Sequence, residues 1–233
     1  MELLARWPHG HGDPVSPDIF VPLIEEAGRI DEFTEHMFDR ALHAMQQWPQ
    51  DIGVSVNFAR SQLRQATFAA HIIHKLQQAG VGPQRLTVEI TETDELADVA
   101  LSQGSIQQLR SAGIKIAIDD FGAGYANLNL LHDIDFDAVK IDRKIIVDIT
   151  TNPKDQAIVQ AMVAMTGAIK VGLIAEGVED KKTAALLRKL GVGRAQGYLF
   201  AKPMRQNEAL EWISRGAASR SDDNPKVITL QKA

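Results

Sequence analysis

Short runs rich in β-branched residues alternate along the chain with longer stretches of helical periodicity. Residues 53–57, 86–90, 114–119, 138–142 and 172–176 are such β-branched runs and read as buried strands. The helices between them have readable ends. Ser16-Pro17 opens one that Gly28 closes, Pro153 opens another, and Gly80, Gly113 and Gly191 sit where helices should stop. Phe38, Met45 and Trp48 share one helical face and are expected in the core. Strand followed by helix, repeated, predicts an α/β protein with a parallel sheet, either closed as a barrel or open and doubly wound. No Gly-x-Gly-x-x-Gly follows the first strand, which removes the usual dinucleotide-binding version. Residues 2–7 and 194–199 bring the count to seven strands, one short of a closed eight-stranded barrel.

Composition narrows the setting. The 233 residues are 45% hydrophobic and 24% charged, enough for one domain, expected over residues 1–215. Residues 216–225 are rich in small and polar side chains, and residues 216–233 are expected to form a flexible C-terminal tail. With no cysteine, neither disulfides nor thiolate metal sites are available, in keeping with a reducing, cytoplasmic setting, which includes the cytoplasmic part of a membrane-anchored protein. A net charge of −5 argues against DNA as a partner. No run approaches the roughly 18 apolar residues of a membrane span, and the start lacks the basic region of a signal peptide.

The chemistry collects at strand ends: Asn57, Glu89, Asp119 with Asp120, Lys140 with Asp142, Glu176 and Gln196, with Glu2 joining them from the first strand. In a barrel those ends converge on the face where such folds place active sites. Period-two alternation puts Lys140 and Asp142 on one side and turns Val139 and Ile141 toward the helices. Asp119 shares its face with Ala117 and Lys115, while Asp120 begins a loop and can swing round to the same site. Carboxylates about 4 Å apart repel by roughly 4 kcal/mol at an effective dielectric of about 20, so a close cluster requires protons or cations. Oxygen-only donors suit Mg²⁺ or Mn²⁺, and a bridging Asp suggests two ions. Paired ions clamp the attacking and leaving oxygens of a phosphoryl centre.

Singly, each motif has a plainer explanation. Asp119-Asp120 caps a turn as readily as it binds metal, and Lys140-x-Asp142 is by itself an ordinary buried ion pair. Asp120-Phe-Gly122 matches a kinase triplet but has no His-Arg-Asp loop beside it. Glu25-Glu26 and Lys181-Lys182 read as solvated helix faces, and His9, His11, His71 and His74 as surface histidines. The joint placement of acids at separate strand ends is what outweighs these explanations.

The motifs Glu2-Leu3-Leu4-Ala5-Arg6-Trp7, Ser55-Val56-Asn57, Glu89-Ile90-Thr91-Glu92, Asp119-Asp120-Phe121-Gly122-Ala123-Gly124-Tyr125, Lys140-Ile141-Asp142, Ala175-Glu176-Gly177-Val178-Glu179 and Gln196-Gly197-Tyr198-Leu199-Phe200 together resemble the EAL family over nearly the whole chain, from Glu2 to about Met204. The resemblance implies a TIM-like (β/α) barrel whose first strand, bearing a Gln-Pro pair that helps bind substrate, would precede Met1. It implies a metal-dependent phosphodiesterase that hydrolyses cyclic di-GMP to linear pGpG; the alternative is a non-catalytic cyclic di-GMP receptor. One Mg²⁺ or Mn²⁺ would be held by Glu2, Asn57, Glu89 and Asp119, a second by Asp119, Asp120 and Glu176. Lys140 and Glu176 would orient or deprotonate the attacking water, with Asp142, Glu179 and Gln196 supporting the network. Arg6 and Leu4 would contact substrate, and Glu92 would anchor the loop running to Tyr125. A homodimer and an upstream sensory or diguanylate-cyclase module are also implied. Leu3 stands where the family usually has alanine, and Ala123 where it has threonine or serine, a change that bears on regulation more than on chemistry.

Overall fold

The computed structural model describes residues 1–8, 15–91, 99–122, 134–217 and 229–231. Seven parallel strands, β1 (Glu2–Leu4), β2 (Val54–Asn57), β3 (Leu86–Thr91), β4 (Lys115–Phe121), β5 (Ala138–Ile141), β6 (Gly172–Ala175) and β7 (Arg194–Ala195), lie side by side in chain order. With their helices they form the curled, TIM-like (β/α) barrel, so of the two architectures open to the pattern the barrel is the one adopted. The seven strands coincide with the seven runs legible in the sequence. An eighth, β8 (Thr229–Gln231), falls inside the segment expected as tail and pairs in parallel with β1. Among the described residues the ladder runs β7-β6-β5-β4-β3-β2-β1-β8, with no pairing between its two ends.

Among the described residues the α-helices are α1 (Pro17–Glu26), α2 (Ile30–Gln47), α3 (Arg60–Leu63), α4 (Phe68–Ala79), α5 (Val99–Ser111), α6 (Arg143–Val147), α7 (Pro153–Ala168), α8 (Lys181–Leu190) and α9 (Gln206–Ala217). Their ends follow the predicted chemistry. Ser16 accepts the amide of Asp18 to cap α1, with Pro17 at its first position. Gly80 and Gly191 close α4 and α8 at φ 64° and 99°, conformations that cost any residue with a Cβ about 1 kcal/mol or more.

Strand alternation divides the interior in two. Val54, Val56, Val88, Ile90, Ile116, Ile118, Val139 and Ile141 point outward into the main core, where they meet Phe38 and Met45 of α2 and, just beyond it, Trp48, all buried. The opposite parity faces the barrel axis, where Ala117, Ala138 and Ile174 form a small separate cluster. Small side chains there leave room above them, and the polar strand ends occupy that space.

Candidate active site

Lys140 is the centre of the constellation. Its side chain is 1% exposed, and its Nζ lies 3.4 Å from Glu2, 3.0 Å from Glu89, 2.9 Å from Asp119 and 2.7 Å from Glu176. Four carboxylates from β1, β3, β4 and the residue after β6 thus converge on one ammonium at the C-terminal rim. Asn57, at the end of β2 and paired in register with Glu89, reaches Glu2 with its Nδ2 at 3.4 Å. Gln196, just past β7, donates from one Nε2 to Glu2 at 3.0 Å and to Glu176. Its Oε1 is buried without a hydrogen-bond partner among the described residues.

The carboxylate oxygens fall into two groups, each within 4.8 Å: Glu2, Glu89 and Asp119, and Asp119, Asp120 and Glu176. Asp119 belongs to both. A regular strand would turn Asp119 and Asp120 to opposite faces, and the sequence predicts a loop from Asp120 onward. The structure does it differently. Strand β4 continues to Phe121, Asp120 adopts φ 53°, and the pairing with β5 shifts between Ile118 and Phe121. This bulge re-aims Asp120 toward its neighbour's side, as bulges beside active sites often do. The Asp120 amide donates to Asp119 Oδ1 at 3.0 Å, fixing the pair.

Crowding and burial show in the proton affinities. Burial, reinforced by Glu2 and Asp119, pushes the Glu89 carboxyl well above the usual range despite Lys140. Glu176 is raised to about 8, chiefly by burial and then by Asp119 and Glu2, against the pull of Lys140. Asp120 rises to about 6 through burial and the charges of Asp119 and Asp142. Burial alone would lower the Lys140 pKa, but the surrounding carboxylates outweigh it and hold the ammonium well above its ordinary value. One lysine is therefore too little charge to keep all these acids ionised. The residues fit a pair of hard cations: every donor is an oxygen, the two groups share an edge at Asp119, and added positive charge would return the acids to their ionised form.

The remaining predicted residues are placed as follows. Asp142, buried, caps α6 by accepting the Lys144 amide at 2.6 Å and lies against Asp120. Glu179 is exposed and pairs with Arg143 at 2.7 Å, so it is not brought to the carboxylates. Leu4 lines a cleft of about 1010 Å³ that opens beside the rim, with Asn57, Asp119 and Asp120 along its floor. Arg6, half-buried, donates to the carbonyl of Ala5 at 2.7 Å. Glu92, Ala123 and Tyr125, together with His9 and His11, lie outside the described residues. His71 is exposed, as expected, and its Nε2 meets Glu35 of α2 at 2.9 Å. Sequence reasoning did not see the far wall of the cleft, where Val21 and Pro22 of α1, Phe33 and Met37 of α2, and Arg64 face the strand ends. The signal available was apolar residues on both sides of α1, where Ile19 and Leu23 remain more than half exposed.

The EAL domain model matches residues 1–203. The chain belongs to the EAL-domain family. Cyclic di-GMP phosphodiesterase NbdA of Pseudomonas aeruginosa is 34% identical over the whole of this chain and 30% of its own length. Cyclic di-GMP phosphodiesterase RocR of the same organism is 34% identical over 91% of this chain and 55% of its own. Among solved structures, the PaMucR phosphodiesterase in complex with c-di-GMP superposes with a TM-score of 0.83 at 32% identity, covering 90% of this chain and 86% of that one. The chain thus spans about a third to a half of the length of these two curated relatives, and nearly all of the solved domain.

Proposed function

We propose that this EAL domain hydrolyses cyclic di-GMP to linear pGpG, using two divalent cations, Mg²⁺ or Mn²⁺, held at the barrel rim. The observation that carries the reading is Asp119, a single carboxylate shared by two acidic groups in a buried pocket beside a cleft. Similarity to relatives named cyclic di-GMP phosphodiesterases, and to a domain solved with c-di-GMP, supports the substrate. Glu2, Asn57, Glu89 and Asp119 would hold one ion; Asp119, Asp120 and Glu176 the other. Bound there, the ions would polarise the phosphodiester and lower the pKa of the attacking water.

The chain's own residues divide the remaining work. Glu176, ionised beside the cations and with Lys140 at 2.7 Å, would accept a proton from the water. Lys140 is permanently charged and supplies orientation and positive potential. Gln196 locks Glu2 to Glu176, and its unpartnered Oε1 is available to the water. Asp142, beside Asp120 at the start of α6, and Glu179, once released from Arg143, would support the water and metal network. Leu4 and Arg6 face the substrate side, where a forked guanidinium suits a phosphate.

We further infer a cytoplasmic homodimer fused to an upstream signalling module. A relative named a bifunctional diguanylate cyclase/cyclic di-GMP phosphodiesterase, MucR, aligns over only 32% of its length, which supports the fusion. Among the described residues no helix is long and apolar enough to cross a membrane.

The test is incubation of the protein with cyclic di-GMP and Mn²⁺, followed by chromatography for pGpG. Glu176→Ala and Asp119→Ala should each abolish product while leaving the circular dichroism spectrum unchanged. Full turnover in either variant would sink the assignment.

A further inference from the structure

Helix α3 is one turn of four residues, too short to be stable by itself, yet Ser61 on it and Arg64 just after it line the cleft with Asn57. Gln62 holds the turn from inside. Its side chain is buried; its Oε1 accepts the Ala59 amide at 3.2 Å while the Gln62 amide donates to the Ala59 carbonyl at 3.0 Å, the reciprocal bonding that fixes a helix start. Its Nε2 donates to Asp31 Oδ1 at 2.9 Å, in the first turn of α2, and Gln65 donates to both oxygens of the same carboxylate, at 3.3 and 3.1 Å. One side chain thus joins the turn after β2 to the helix whose Phe33, Thr34 and Met37 line the same cleft. Asp31, Glu35 and Asp39 follow one another at every fourth position along one face of α2. Glu35 meets His71 at 2.9 Å and Lys75, and Asp39 meets Lys75, so these two acids tie α2 to α4, and none of these four residues lines the cleft.

We propose that Asp31 and Gln62 are positioning residues for substrate: their hydrogen bond holds the α2 and α3 walls of the cleft in the arrangement that a cyclic dinucleotide occupies. This rests on the phosphodiesterase reading above. Among the described residues both side chains bond within the wall and not to the carboxylates around Lys140. Asn57 is held separately, by its pairing with Glu89 and by the Phe58 amide on the Glu89 carbonyl at 3.1 Å. Losing the bridge therefore lets the wall shift and leaves the reacting groups in place. When only a fraction of molecules has the wall in position, apparent affinity falls by that fraction, and substrate that does bind reacts at the same rate.

The full chain and four variants are compared in steady-state hydrolysis of cyclic di-GMP with saturating Mn²⁺, below their melting midpoints, and in thermal melting. Gln62→Glu sets a second carboxylate against Asp31 and should raise KM about tenfold with kcat within about twofold, as when the wall is in position in roughly a tenth of molecules. Asp31→Ala, at an exposed position, breaks the same bridge without a new buried charge and should raise KM in the same way. Gln62→Glu combined with Asp31→Asn reverses donor and acceptor, keeps the bond to the Ala59 amide, and should return KM to within about twofold of the parent. Lys75→Met removes the cation between α2 and α4 and should lower the melting temperature with KM unchanged. An unmoved KM in both Gln62→Glu and Asp31→Ala overturns the proposal, as does a KM that the reversed pair does not restore. A rise of equal size in Lys75→Met also overturns it, since loosening of α2 in general would then be the cause. A parent chain that yields no pGpG overturns the phosphodiesterase reading and the claim on substrate with it, while the melting midpoints of the same variants still decide the bridge.

Discussion

Lys140 Nζ lies 2.9 Å from Asp119, the carboxylate common to both acidic groups, so the lysine stands in the position from which it neutralises either group. Removing one partner of a buried ionic cluster leaves uncompensated charge, which typically costs about 3–5 kcal/mol. Lys140→Met should therefore lower the stability of the metal-free protein by that order at pH 8, and by less at pH 5, where the acids take up protons instead. Mn²⁺ should return most of the loss, and hydrolysis should stay absent. Urea unfolding at the two pH values, with and without Mn²⁺, checks this.

The acids make metal-free stability fall as pH rises. Glu176 is raised from 4.5 to about 8 and Asp120 from 3.8 to about 6, so between those limits the folded state binds protons that the unfolded state has released. Lys140, raised above 10.5, loses nothing in this window. The melting temperature without metal should therefore decline from about pH 4.5 to pH 6 and less steeply from there to pH 8, where the buried Met1 amine, lowered from 8.0 to about 6, acts in the opposite sense; saturating Mn²⁺ should flatten the decline. Mn²⁺ binding should release protons near neutral pH, visible as a buffer-dependent enthalpy in calorimetry. A buffer-independent enthalpy would contradict the assignment.

Seven strands and their capped helices were legible because each strand is a short apolar run and each helix end carries its own signal, as at Ser16-Pro17 and Gly80. Period-two parity assigns Lys140 and Asp142 to one side and Asp119 to the face of Ala117, but the ligand set itself comes from the family resemblance, because parity within a strand does not say which strand ends meet. Two things were not legible. The Asp120 bulge breaks that parity, and nothing in Asp119-Asp120-Phe121 distinguishes a bulged strand from the start of a loop. Strand β8 follows the small, polar stretch 216–225 that reads as tail, and its own short run Val227-Ile228-Thr229-Leu230 finds its partner in β1, more than 220 residues away in sequence.

Backbone strain and ligand role can be separated at Asp120. At φ 53° a residue with a Cβ bears a cost of about 1–2 kcal/mol, somewhat less for Asp. Asp120→Gly relieves that cost and removes a half-buried carboxylate with a raised pKa, so the metal-free protein should be as stable as the parent or about 1 kcal/mol more stable. Asp120→Ala keeps the strain and should be the less stable of the two. Both variants lose a donor from the second group, and the Mn²⁺ stoichiometry should drop from two toward one. A glycine variant that still binds two ions tightly would remove Asp120 from the ligand set.

Lys170 offers a control far from the chemistry. It follows α7 at φ 59°, is exposed, and stands where Gly80 and Gly191 stand after α4 and α8. The Val171 amide returns to Thr166 at 2.9 Å, the hydrogen bond that closes a helix through a left-handed residue. Lysine here has the Cβ penalty that the two glycines avoid, offset in part by its charge near the helix C-terminus. Lys170→Gly should raise stability by about 0.5–1 kcal/mol, or roughly 1–4 °C in melting temperature for a domain of this size. Gly191→Lys should lower it by at least as much, because a Cβ there would also press on Val163 at 3.0 Å. Neither change touches the rim, so hydrolysis of cyclic di-GMP should be unaltered in both at 25 °C. A change in turnover without a change in melting temperature would show that the far face of the barrel communicates with the carboxylates.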